Sequence, residues 1–494
     1  MELKAKFSKW SAGLLVVMLN KKTALKLGVH TQGRISIKTL LKYPKEISSI
    51  IDTIEGNSVK ENEILVSSEV RKRLNLRKNQ KIDVNLAPES KSLILIKKKL
   101  NNKRLTREEI TQIIKDIVHN SLSEPEIALF VAAMHKHEMN IKEIIYLIKA
   151  ILKFGNKLNI KKEFVVDKHS IGGIPGNRTT PIVVSICAAA GLTFPKTSSR
   201  AITSEAGTVD VIETIARVEF SVKELKNILK KTNAFMVWGG SLGMVPADSK
   251  IIKVEKMLKI DPKSQLIASI ISKKFSVGSN HILIDIPYGK NAKVNKKKAE
   301  DLKSKFSKIG KYFHKKIKIV LTDGNQPIGN GIGSSLELID VIKVLDPNQK
   351  SPEDLEKKSV FLAGEIFEMT GKAKNKKGIE LAEGILKSGK AFEKFKQIIK
   401  AQKGNFRKIK KAKFKKDIFS KNSGKIVGIN NKKIISLVRI LGCPVDKSSG
   451  IYIYFHVGDK VKKREKILTF YSETKTRLNE AVKFYNKERP IKIR

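Results

Sequence analysis

Cysteine occurs only twice among 494 residues, at Cys187 and Cys443. That excludes a disulfide framework, and the apolar neighbours of each point to two buried thiols in a cytoplasmic protein. Aromatic residues make up 6% of the sequence and are not interleaved with its basic runs, so platforms for stacking nucleic-acid bases are missing. Long apolar runs are missing too. The longest covers residues 182–192 and is broken by Ser185, well short of the roughly 18 residues that span a bilayer. The N-terminal MELKAKFSKWSAGLLVVMLNKK places lysines before an apolar patch, but the patch is short and no small-residue cleavage site follows, so it reads as a strand and not as a signal peptide. Acidic side chains are the last shortage: 48 Asp and Glu face 99 Lys and Arg, a formal charge of +51. The surplus is spread over short lysine runs such as residues 97–99, 296–298 and 410–411. This describes a solvated basic surface that draws in anionic substrates, with no membrane partner and no specific nucleic-acid partner.

The length exceeds what one hydrophobic core supports, and the pattern along the chain predicts a multidomain α/β protein. Residues 1–96 read as a β-rich N-terminal domain, with strands at 14–19, 34–37, 64–67, 81–86 and 92–96. A basic linker at 97–104 leads into a helical lobe over residues 100–161. Thr106 with Glu109 and Ser123 with Glu126 have capping-box spacing, Leu105 and Ile110 fit a hydrophobic staple, and Asn140 precedes a third helix. Strands and helices then alternate over 163–240 and 280–404, an α/β lobe with a mixed, largely parallel sheet. Residues 246–278 turn helical again and return to the first lobe, and residues 405–494 form a C-terminal α+β subdomain.

Two segments carry chemistry. In DKHSIGGIPGNRTTP, residues 167–181, a strand ends at Asp167 and opens into Lys168, His169, Ser170, Gly172 and Gly173. The glycines let backbone N–H groups approach an anion, Ser170 adds a hydroxyl, Lys168 adds a charge, and Pro181 starts a helix whose positive end faces the loop. The second segment, KTSSRAITSEAGT at residues 196–208, is richer still in hydroxyls. Neither matches GxxxxGK[ST] or GxGxxG, which disfavours a P-loop and a dinucleotide fold.

With IASIISKK at residues 267–274 and TDGNQPIG at 322–329, these segments resemble the thymidine/pyrimidine-nucleoside phosphorylase superfamily. The insert GGIPGNRTTP and the SSRAITS loop are similar to its archaeal AMP phosphorylase branch, as is the β-rich extension, which that branch uses in assembly. The resemblance implies phosphorolysis of a nucleoside 5′-monophosphate, AMP in the first place, to base and ribose 1,5-bisphosphate. It implies a homodimer or larger homo-oligomer with inorganic phosphate as co-substrate and neither metal nor organic cofactor.

By motif position the resemblance makes Lys168, Ser170, Ser198 and Thr208 phosphate ligands, with Thr179 added from the insert. Gly173, Ser199, Arg200, Ala201, Ile202, Thr203, Ser204 and Thr208 line the nucleotide site, so the division of groups between attacking phosphate and 5′-phosphate stays open. Arg200 is the natural charged partner for an anion there. Asp261 corresponds to the proton donor for the departing base, although an Asp-Pro pair equally suits a helix N-cap. Ser269 and Lys293 correspond to base- or nucleotide-contacting positions, Lys273 to a pyrimidine-binding lysine, and His169 to the active-site histidine. Val254 stands where pyrimidine enzymes carry an arginine, which argues against a pyrimidine base. Glu205 inside the second anion loop is expected to face solvent or to pair with a lysine, since an inward carboxylate would repel phosphate. Phosphorolysis of free nucleosides is the alternative; an inactive core that binds nucleic acid, or a phosphoribosyltransferase, fits less well.

Overall fold

The computed structural model describes residues 1–7, 15–87, 90–201, 204–406 and 409–494. It divides into two compact units, one of residues 1–154 with 246–266, the other of residues 155–245 with 267–494.

The first unit opens with a closed six-stranded barrel. Around it run Glu2–Phe7, Glu63–Val66, Val16–Asn20, Glu46–Ile54, Arg34–Thr39 and Lys81–Leu86, which pairs back with the first strand. Alternate residues such as Val17 and Leu19, or Ile35 and Ile37, are wholly buried and fill the interior. The segment expected to be a fifth strand at 92–96 is instead part of the helix Lys91–Leu100. Its buried residues Ser92, Ile96 and Lys99 recur at helical spacing while Ile94 is exposed, and the aliphatic run had masked that period. The first half of the anticipated linker, residues 97–100, is therefore helix. Helices Arg107–Val118, Glu124–Lys136 and Ile141–Lys153 follow. Thr106 and Asn140 carry reciprocal caps, for example Glu109 N–H on Thr106 Oγ1 and Thr106 N–H on Glu109 Oε2, while Ser123 gives its N–H and its hydroxyl to Glu126. Leu105 and Ile110 are both buried, as a staple requires. The returning segment is shorter than anticipated, ending at residue 266.

In the second unit the strands Lys316–Asp323, His281–Tyr288 and Val166–Ser170 form a parallel sheet, and Phe194–Ser198 pairs in parallel with Ala234–Trp238. A single parallel bridge, Val165 to Thr193, joins the two sets. The helix Thr179–Ala189 is buried along nearly its whole length, which is why its sequence is apolar on every face. The C-terminal strands form a four-stranded sheet ordered Gly331–Ile332, Gly450–Ile453, Lys466–Ser472 and Phe414–Phe419, and a three-stranded one of Lys460–Val461, Gly424–Ile429 and Ile491–Ile493. Helices Asn431–Leu441 and Lys475–Glu488 accompany them. No helix among the described residues is long and apolar enough to cross a membrane.

Candidate active site

In open parallel sheets ligands collect at the carboxyl ends of the strands, and the first motif lies at one. The strand runs through Ser170 and does not stop at Asp167, because its parallel pairing continues to Ser170 opposite Asp285. Lys168 is thereby a strand residue, wholly buried, with Nζ donating to Thr179 Oγ1 at 2.6 Å and to Thr180 Oγ1 at 3.4 Å. Burial pulls its pKa down to about 7, partly offset by the carboxylate of Asp285. Asp285 is itself buried, which opposes its charge, yet Lys358 at 3.3 Å and Lys168 hold it below the ordinary carboxylate range. The Thr322 hydroxyl, from the fourth motif, donates to Asp285 at 2.6 Å.

The loop after the strand needs its glycines. Gly173 has φ +88°, and a Cβ there would lie 2.9 Å from Cβ of Lys293, so two residues singled out in the sequence abut. Gly176 has φ +70°, and a Cβ there would collide with the carbonyl oxygen of Ile328. Ser170 Oγ accepts a hydrogen bond from Asn177 Nδ2 at 3.4 Å.

The second loop departs from the open cradle expected of it. Asp210 Oδ2 accepts the backbone N–H groups of Ala201 at 2.8 Å and Gly207 at 2.7 Å, so those donors are occupied. Arg200 is not left for an anion: both terminal nitrogens reach Glu213, at 2.6 and 2.8 Å, and the guanidinium stacks over Trp238 at 5.0 Å. Ser204 Oγ donates to the carbonyl of Ala206. Ser198 ends its strand and Ser199 follows it, both half-buried. Ile202 and Thr203 lie outside the described residues.

Glu205 neither faces solvent nor pairs with a lysine. It is wholly buried, and Oε1 accepts the N–H of Gly176 at 3.1 Å. Burial first, and then the neighbouring carboxylate of Glu337, push its pKa well above the ordinary range. Arg178, a residue the sequence reading passed over, closes this cluster. Its Nε donates to Glu337 Oε2 at 2.6 Å, Nη1 to Thr208 Oγ1 at 3.3 Å and Nη2 to the Ala206 carbonyl at 2.8 Å. The two anion loops are thus one connected structure. Arginine is much rarer than lysine in this chain, and that rarity was the signal available for Arg178.

Beneath the site Asp167 receives two buried lysines, Lys196 at 3.2 Å and Lys274 at 2.9 Å. His169 is held as a neutral imidazole, chiefly by burial and then by the charges of Lys274 and Lys196. Lys273 donates to Ser269 at 2.7 Å, one helical turn away on Lys263–Val277. Asp261 belongs to the first unit, between helices Pro246–Leu258 and Lys263–Val277.

The architecture defines a class. Models described as the helical bundle domain and the a/b domain of a glycosyl transferase family match residues 94–155 and 162–392, and a pyrimidine nucleoside phosphorylase C-terminal domain matches 425–492. Anthranilate phosphoribosyltransferase from Thermus thermophilus shares the fold, with a TM-score of 0.53, 16% identity, and 63% of this chain and 99% of that chain covered. Within the class, AMP phosphorylase 1 of Archaeoglobus fulgidus is 37% identical over 98% of this chain and 96% of that protein. The AMP phosphorylases of Methanococcoides burtonii and Thermococcus kodakarensis are each 38% identical, over 99% and 100% of this chain and 96% and 98% of theirs. The chain belongs to the AMP phosphorylase family.

Proposed function

We infer that this protein is a pentosyltransferase that cleaves AMP with inorganic phosphate, giving adenine and ribose 1,5-bisphosphate. The carrying observation is that Arg178 stitches the Lys168 loop to the Thr208 loop, so that hydroxyl and ammonium donors suited to two phosphates belong to one site. An oxygen of phosphate forms a bond to the anomeric carbon as the carbon–nitrogen bond to adenine breaks, and the departing nitrogen takes the electron pair.

Lys168, Ser170 and Thr179 are the groups for the attacking phosphate. Near neutrality Lys168 is poised to take up a proton as the anion arrives, since its pKa is about 7. Ser198, Ser199, Ser204 and Thr208 are the groups for the 5′-phosphate, with Gly173 giving the nucleotide room beside Lys293. Asp261 is assigned by family resemblance to protonate the leaving base, which departs poorly as an anion. Neutral His169 serves as a hydrogen-bonding group and not as a proton source. Ser269 is assigned by the same resemblance to the base. Inorganic phosphate is the co-substrate, and the working form is a homo-oligomer.

The test is phosphate-dependent base release from AMP, CMP, UMP, adenosine, uridine and thymidine. AMP is expected to react fastest. Reaction of the unphosphorylated nucleosides alone would overturn the reading.

A further inference from the structure

A glutamate within a phosphate loop is a contradiction unless something removes its charge, and Glu205 is such a residue. Its Oε1 takes the N–H of Gly176 in the first loop. Its Oε2 is buried with no donor facing it among the described residues. The carboxyl group beside it, Glu337, uses Oε1 to accept the N–H of Gly333 at 3.0 Å and Oε2 to accept Arg178 Nε. One guanidinium is thus bonded to one buried carboxyl group, Glu337, and lies in the field of a second, Glu205. With both ionised, the cluster would carry a net negative charge under the phosphate loops; with one proton retained on Glu205 Oε2, it is neutral and the orphaned oxygen becomes a donor.

We propose that Arg178 is a positioning residue for the phosphates: through Glu337, Ala206 and Thr208 it fixes the loop of residues 171–178 against residues 204–208 before either anion binds. The inference rests on the phosphorolysis reading. Each guanidinium nitrogen has a different duty. Nε is held by Glu337 from the helix Ser334–Leu345; Nη2 fixes the Ala206 carbonyl and Nη1 orients the Thr208 hydroxyl. A lysine has no planar fork with which to do all three. Glu205 contributes by tying Gly176 to the second loop, and it does so as a neutral acid, since only that form leaves the site attractive to phosphate.

The other charged or titratable groups around the cluster are Asp210 and Lys168, which lie in the field of Arg178, and Cys443. The Cys443 thiol donates to the Glu205 carbonyl at 3.6 Å, and burial first, then Glu337, pushes its pKa to about 12. The thiol thus stays uncharged, and loss of the cluster's proton falls on Glu205.

The experiment measures KM for phosphate and kcat separately, with thermal melting, for wild type, R178A, R178K and E205Q from about pH 6 to about pH 9. Wild-type phosphorolysis of AMP comes first; its absence defeats the functional reading and not this one. R178A is expected to raise KM for phosphate about tenfold or more in protein that still melts cooperatively, with R178K between it and wild type. A merely structural role would lower the melting temperature and leave KM in the folded fraction unchanged. E205Q cannot ionise, so the ratio of wild-type to E205Q KM is expected to climb with pH wherever wild-type Glu205 gives up its proton. The ionisations of phosphate and of Lys168 are common to both proteins and cancel in that ratio. An unchanged KM in folded R178A overturns the proposal; should R178A fail to fold, a KM for phosphate in folded R178K equal to that of wild type does so.

Discussion

Two buried charge clusters flank the site, and they are unbalanced in opposite directions. Around Asp167 one carboxylate meets two ammonium groups, Lys196 and Lys274; around Arg178 one guanidinium is paired with Glu337 and lies in the field of a second buried carboxyl group, Glu205. Water would compensate either surplus at little cost, but the interior cannot. The proton count adjusts instead. Burial drives the Lys274 pKa well below that of a free lysine, although Asp167 opposes it, and burial drives that of Glu205 well above a free carboxyl group. The first cluster tends to give up a proton and the second to keep one, so both approach neutrality beneath a site that must attract a phosphate.

The harshest way to break this comparison is D167N, which leaves two buried lysines with no carboxylate. It is expected to lose about 3–5 kcal/mol in denaturant unfolding. Lys168 feels the charges of both Arg178 and Asp167, and K168M is expected to lower kcat/KM for phosphate about a hundredfold while the protein stays folded.

The pH dependence of stability separates the clusters by sign. Folded Glu205 holds a proton that the unfolded chain releases above about pH 4.5, so its contribution is lost as pH rises through its folded pKa. E205Q should remove that decline, up to about 1.4 kcal/mol for each pH unit of the window. Lys274 does the reverse: below about pH 10.5 the unfolded chain binds the proton that the folded one sheds, so stability climbs with pH toward that value, and K274M should flatten the climb. Parallel slopes in the two variants would contradict opposed imbalances.

The smallest effect belongs to a balanced, partly exposed cluster, in which Arg200 and Lys447 face Asp210 and Glu213. Hydrogen bonds from Arg200, and then Lys447, hold Glu213 at about 2 against partial burial. Its contribution is present above about pH 4.5 and fades as pH falls toward 2. Solvent screening limits E213Q to less than about 1 kcal/mol at neutral pH.

The contrast also shows what a sequence displays. Thr106 with Glu109 and Ser123 with Glu126 announced their helices because a cap is satisfied within three residues. Lys168 and Ser170 were legible for the same reason: glycines and hydroxyls cluster next to them in the chain. Glu205 and Arg178 were not, since the partner that decides both, Glu337, lies 159 residues beyond Arg178. Seen locally, a glutamate among serines looked like a group to be turned outward. Arg200 misled in the same way, because Glu213 and Trp238 reach it only once the chain has folded. Residues 92–96 failed for a different cause, an aliphatic run that hid the helical spacing of Ser92, Ile96 and Lys99.

The most direct test of the central claim is phosphorus NMR of AMP incubated with the protein, with and without inorganic phosphate, alongside quantified adenine. The expected result is no adenine without phosphate, and with it one ribose 1,5-bisphosphate formed for each adenine released. Adenine appearing at the same rate in the absence of phosphate, with ribose 5-phosphate as the sugar product, would contradict it.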